Sequence, residues 1–571
     1  MMITDAKTFR ELVKRLHERG DRVAIMERRE GEFRKITYVE VSDWARAISA
    51  FLTDIGIEAP TRVAILSKNR MEWGISYFGI TYGGCIAVPI DPELKEKEIT
   101  HILKFSNTKA IFTERCFLPI IKDLASKMEI EPIITLDDSK ELTLKEVIEK
   151  GSNLLARKEE KEVEVKGGDT ASIIFTSGTT GVSKGVELTH HNFIYDTVQS
   201  EKLLNLIEDE IFLSVLPIHH TFEFTAGFLE PIMCGGKVVY ARSLKSKELL
   251  EDLKDSQTTL LIGVPLLFEK FYQGIRKGIS EQNALKKGMV NLGLAMGNLM
   301  RQIKGRASKN LLTGKVLEQA GMDSLRIMIA GAAALDPEVE LGLKALGLNI
   351  VQGYGLTEAS PIVTINPAVG SKAGSIGKAI PGIQLRIDKP NVEGIGEILV
   401  KGDNVMKGYY KNPEATRETI RDGWLYTGDM GYMDEDGFTF ITGRKKSVIV
   451  TDGGKNIYPE EIEQILQRSD YIEEVLITEL FDRKKNKTEL TAIIYPNWER
   501  IDEYIAEKDK DESAINKILK KEVEEVNKGL ASYKRVNSFK IREEDFPKTT
   551  TRKIKRYLFF EEKKISIDDQ S

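Results

Sequence analysis

Apolar residues recur with two periods along this chain, and the switches between them outline its architecture. Phe9, Leu12, Val13 and Leu16 fall at helical spacing ahead of Gly20, which predicts an amphipathic N-terminal helix and not a signal peptide. From residue 37 to about 240, short β-branched runs alternate with helical patterns: RVAILS (62–67), CIAVPI (85–90) and KAIFTE (109–114) are the clearest strands. Trp44, Ala45, Ile48 and Phe51 share one face of a helix predicted over 42–52, a face that core packing explains. Such alternation builds α/β layers.

Residues 268–320 change character. Lys- and Arg-rich helical sequence there carries Leu292, Leu294, Met296, Leu299 and Met300, and predicts a helical excursion. The α/β grammar returns at 325–335 and 349–358, and Gly-punctuated short strands such as GEILVKG and FTFITG (438–443) predict a β-rich subdomain over about 375–445. Pro459 followed by Glu460 and Glu461 suits a helix start, so a small α+β unit is expected over 446–571 behind a large N-terminal domain, 1–445.

Composition narrows the function. The chain has 571 residues, 41% hydrophobic and 30% charged, ample for a buried core. With 83 Lys and Arg against 88 Asp and Glu, a net charge of -5 argues against a nucleic-acid partner. Cys85, Cys116 and Cys234 lie far apart with no zinc-like spacing, which fits a reducing compartment. The longest apolar stretch, Leu260 to Phe268, is shorter than the roughly 18 residues a membrane span needs. A cytoplasmic protein is expected, with at most peripheral contact to the inner face of a membrane, as monomer or homodimer.

The chemistry begins after the strand-like run Ala171 to Phe175. There TSGTTGVSKGV (176–186) packs hydroxyls, glycines and one lysine together. Gly178, Gly181 and Gly185 let the backbone turn tightly, Ser177, Thr179, Thr180 and Ser183 supply hydroxyls, and Lys184 supplies charge, a set able to wrap a polyphosphate. A Walker loop is excluded, because six residues on from Gly178 the required G-K pair is absent. Gly181 to Gly185 matches G-x-S-x-G literally, but Ser183 stands several residues beyond the apolar run instead of at a strand end, so a serine hydrolase is disfavoured.

TSGTTGVSKGV, GYGLTE (353–358), YTGD (426–429) and GRKK (443–446) occur in one order across nearly the whole chain, and together they resemble the adenylate-forming enzymes. The resemblance implies that Thr176, Ser177, Gly178, Thr179, Thr180, Gly181 and Lys184 hold the β- and γ-phosphates of ATP. It implies Thr357 at the α-phosphate, Glu358 on Mg2+, and Tyr354 against adenine beside Gly355 and the tight backbone of Gly331, Ala332 and Ala333. Asp429 would grip the ribose, supported by Arg444, and His220 of LPIHHTFEFT would lie near the carboxylate, His219 remaining ambiguous.

Pro547 to Ile554 resembles the family's P-K-T-x-x-G-K signature, with Lys553 in the place of the catalytic lysine and Arg552 where glycine is usual. The resemblance further implies a mobile C-terminal domain that hinges at Lys446 between two half-reactions, with Gly453 and Gly454 lining a thiol channel. GVPLLFEKFYQGI (263–275) with the excursion behind it is similar to long-chain fatty acyl-CoA synthetases. The expected reaction is therefore activation of a fatty acid to acyl-AMP, then acyl transfer to coenzyme A or, alternatively, to the thiol of an acyl carrier protein. Phe222, Phe224, Phe228 and Leu229 are candidates for an alkyl tunnel and equally for core.

Overall fold

The computed structural model describes residues 2–158, 163–176, 183–451, 455–482, 487–508, 513–548 and 554–560. Each β-branched run becomes a strand. Arg62–Leu66, Ile86–Ile90, Ala110–Thr113 and Ile133–Thr135 lie parallel in a seven-stranded sheet. The antiparallel hairpin of Thr170–Thr176 and Lys184–Thr189 extends this sheet, and Gly408–Tyr409 closes its edge. A nine-stranded sheet has a parallel centre of Lys237–Tyr240, Ile211–Ser214, Leu260–Gly263, Ile327–Ala330 and Ile350–Gly355.

Helices fill the layers. All twelve residues of Met71–Tyr82 are buried, as expected of a helix covered on every side. The helix expected over 42–52 begins earlier, at Tyr38, because Thr37 and Glu40 form a reciprocal cap: the Glu40 N–H donates to the Thr37 hydroxyl at 3.3 Å and the Thr37 N–H to the Glu40 carboxylate at 2.7 Å. The excursion resolves into the helices Pro265–Ser280, Ala284–Lys304 and Leu311–Gln319. A third sheet contains Gln384–Asp388, Gly396–Lys401, Trp424–Met433 and Thr439–Arg444. Beyond it, Pro459–Leu466 packs with a three-stranded sheet of Ile472–Asp482, Lys487–Pro496 and Ser538–Ile541 around a separate core. Arg468 of this region pairs with Asp336 of the N-terminal region at 2.7 Å.

Glu223–Leu229 is a wide π-turn in which every residue is buried, a geometry that often marks functional segments. Burial pushes the Glu223 carboxyl up to about 8, against the Ser214 hydroxyl and the Leu216 N–H that lower it, and burial likewise pushes Glu230 to about 8. The native state thus keeps protons that the unfolded chain releases near 4.5. Their stabilising contribution is complete below that value and is lost as pH rises through about 8. We expect Glu223→Gln to melt higher than wild type above neutral pH, by an amount on the order of a few kcal/mol at most, and to flatten the pH dependence. Melting curves recorded across pH would expose an unchanged slope if this is wrong.

Candidate active site

Strand pairing sets the phosphate side. Thr176 faces Lys184 across the hairpin, and the Ser183 hydroxyl donates to the Thr176 carbonyl at 3.0 Å, which occupies the serine that the hydrolase motif would need free. Ser177, Gly178, Thr179, Thr180 and Gly181 lie outside the described residues. The Lys184 ammonium stands 4.7 Å from the centre of the Tyr409 ring, and the Tyr409 hydroxyl donates to Glu358 at 2.8 Å. Burial first, then this carboxylate, holds the Tyr409 phenol well above its ordinary value. Thr221 completes the group, its hydroxyl 3.4 Å from that of Thr357. Tyr409 thereby links Lys184 to Glu358, whose chain neighbour Thr357 meets Thr221.

A second group forms on the third sheet. Asp429 and Arg444 are direct partners across the hairpin of Trp424–Met433 and Thr439–Arg444, so their meeting is a matter of register. The Arg444 Nε forms an ion pair with one Asp429 oxygen at 2.8 Å, and the Tyr354 hydroxyl donates to the other at 2.6 Å. The Thr427 hydroxyl receives the Asp429 N–H at 3.0 Å, while the Thr427 carbonyl receives Arg444 at 3.3 Å. Asp429 is buried and Arg444 partly open, so the carboxylate is held in position while its arginine still meets solvent. Burial and then the Asp429 charge hold the Tyr354 phenol far above its usual range.

Between these groups, Gly331 follows the strand Ile327–Ala330 and donates its N–H to the Gly263 carbonyl at 3.1 Å. A Cβ there would lie 2.5 Å from the Phe222 ring, so glycine is the residue that fits. Ala332 and Ala333 are exposed beside it, and Gly355 ends its strand.

The His219 and His220 rings lie tilted at 52° with centres 4.2 Å apart, and the His219 Nε2 is 3.6 Å from the Asp91 carboxylate. Asn69 fixes the approach to them: its amide donates to the Leu216 carbonyl at 2.6 Å and its oxygen accepts the Ile218 N–H at 2.8 Å. Sequence reading missed Asp91, Asn69, Thr221 and Tyr409, which sit in ordinary strand-end, loop or helix-start contexts. Only the pairing of Gly408–Tyr409 with the Lys184 strand brings that tyrosine in. Of the tunnel candidates, Phe224, Phe228 and Leu229 are core residues, and Phe222 is partly buried against Gly331. Lys446 follows Arg444 in the short turn Lys445–Ser447, whereas Gly453, Gly454 and Lys553 lie outside the described residues.

Two further observations bear on the donor sets. Glu358 presents a carboxylate oriented by a phenol, with hydroxyls and a lysine nearby, a hard-oxygen environment that fits Mg2+ beside phosphate. Asp91, His219 and His220 also place three possible ligand atoms within 4.8 Å of one another.

Residues 12–410 match the AMP-binding enzyme family and residues 446–570 match the AMP-binding enzyme C-terminal domain; the chain belongs to this adenylate-forming family. It is 30% identical to a long-chain-fatty-acid–CoA ligase of Mycobacterium bovis, over 81% of this chain and 78% of that one. It is 27% identical to a chloroplastic long-chain-fatty-acid–[acyl-carrier-protein] ligase of Arabidopsis thaliana, over 84% and 75%. ATP-bound MatB from Rhodopseudomonas palustris superposes with a TM-score of 0.76 at 23% identity, covering 97% of this chain and 98% of that one, a likeness of fold.

Proposed function

We propose that this chain is a fatty acid:coenzyme A ligase that works through an acyl-adenylate. The observation that carries the reading is the Tyr354–Asp429–Arg444 group, whose buried carboxylate has two oxygens of the kind that recognise vicinal hydroxyls, with Glu358 of the Lys184 and Thr357 cluster close enough to act on Arg444. Joining a carboxylate to a triphosphate brings two anions together, so the site must supply positive charge and donors. Lys184 and the loop from Thr176 to Gly181 would neutralise the β- and γ-phosphates, and Thr357 would donate to the α-phosphate. Glu358 would hold Mg2+, which supplies further charge neutralisation when bound. His220 would orient the acid, with Asn69 holding its loop in place.

The excursion over 265–319 and the Mycobacterium bovis relative favour a medium- or long-chain fatty acid. The Arabidopsis thaliana relative supports a second reading, in which the acceptor is a carrier-protein thiol. ATP–pyrophosphate exchange that rises with laurate or palmitate is expected, and AMP release should then accelerate with coenzyme A. Exchange indifferent to every fatty acid would sink the first reading; acceleration by holo acyl carrier protein alone would favour the second.

A further inference from the structure

Helix Ala284–Lys304 carries its large apolar side chains on the outside. Leu285, Met289, Leu292, Met296, Leu299 and Ile303 recur at alternating steps of four and three residues, so they form one stripe along the helix. All six are exposed, at between 45% and 76% of their full surface. At 1.5 Å per residue the stripe is about 27 Å long. On the side turned toward the protein, Gly293 and Gly297 are the buried residues of the helix. A Cβ on Gly297 would come 2.1 Å from the Ala345 carbonyl oxygen, and one on Gly293 would come 2.9 Å from Leu312. The protein body receives these glycines together with the partly buried Leu294, while the six large apolar side chains of the stripe face away from it. That inverts the usual amphipathic arrangement, in which the largest apolar residues point inward.

Charge decides what such a ridge fits. From Gln282 to Leu317 there is no Asp or Glu, while Lys286, Lys287, Arg301, Lys304, Arg306, Lys309 and Lys315 are all basic. At the C-terminal end of the helix, Arg301, Arg306 and Lys344 help line a pocket of about 120 Å³, and the buried Arg301 Nε has no hydrogen-bond partner among the described residues. A second copy of the chain would oppose one basic segment with another. A folded protein partner would need a groove shaped to a convex row of flexible Leu, Met and Ile side chains. Lipid accepts such a row without shape complementarity, and anionic headgroups match the charge.

We propose that helix Ala284–Lys304 is a membrane-surface anchor that seats its apolar stripe at the headgroup boundary of an anionic bilayer. The inference stands on this helix and its charge, independently of the acid or thiol the active site uses. The test is cosedimentation of the full-length protein with phosphatidylcholine vesicles, with and without phosphatidylglycerol. Binding should require phosphatidylglycerol and weaken in high salt. The double variant Leu292→Glu, Leu299→Glu should lose at least about tenfold in partitioning. Its melting temperature and its nucleotide-dependent exchange with soluble octanoate should stay at wild-type values, because both residues are exposed. Leu292→Ser, Leu299→Ser should show a smaller loss in the same direction. Failure of wild type to bind, equal binding by wild type and the Glu variant, or a lipid-free dimer that the Glu variant dissolves into monomers would each overturn the anchor. So would binding to an acidic carrier protein that the same variant abolishes while vesicle binding persists.

Discussion

Lys553→Ala should abolish formation of acyl-AMP yet leave thioester formation from supplied acyl-AMP close to the wild-type rate. The reason is electrostatic. When the carboxylate attacks, negative charge builds at the α-phosphate, and an ammonium placed there stabilises the transition state more than the ground state. Its loss should cost at least about a hundredfold in the first half-reaction. Under the proposed swivel of the C-terminal unit about Lys446, the second half-reaction would move charge between a thiol and a carbonyl, away from that ammonium. Equal losses in both half-reactions would contradict two separate arrangements of that domain. Single-turnover measurements with ATP and with synthetic acyl-AMP provide the two readings.

Asp429→Ala should weaken ATP use far more than acid use. Asp429 offers both oxygens to Tyr354 and Arg444, and these donors orient it as an acceptor for vicinal hydroxyls. Two hydrogen bonds to a charged acceptor contribute roughly 3 kcal/mol together, so kcat/KM for ATP should fall about a hundredfold, chiefly through KM. The fold should survive, because Arg444 is 46% exposed and water can replace its lost partner. Asp429→Asn, which keeps one acceptor, should fall between. An ATP KM unchanged in the alanine variant would remove Asp429 from nucleotide recognition.

Much of the architecture was legible because it rests on periodicity. The runs at 62–67, 85–90 and 109–114 became strands, and Pro459 opened its helix as expected. Tyr354, Asp429 and Arg444 were named because their motifs resemble those of the adenylate-forming enzymes, and the structure brings the three side chains together. Tyr409 and Asp91 were not legible: Tyr409 meets Lys184 only because Gly408–Tyr409 pairs with the strand Lys184–Thr189, and Asp91 meets His219 across loops that follow strands of two different sheets. Leu292, Met296 and Leu299 were read simply as part of a helical excursion. Periodicity gives the stripe but not its direction: in the structure Gly293 and Gly297 face the protein and the stripe faces outward.

The hairpin that pairs Asp429 with Arg444 also sets a mechanical order. Its second strand runs straight into Lys445 and Lys446, so the ribbon that would clasp the sugar is the tether of the C-terminal unit. A swivel starting there would pull on one end of the clasp without opening it. Spent nucleotide would then stay in its cradle through the transfer step and depart last, which keeps the reactive anhydride guarded from water until the acyl group has gone.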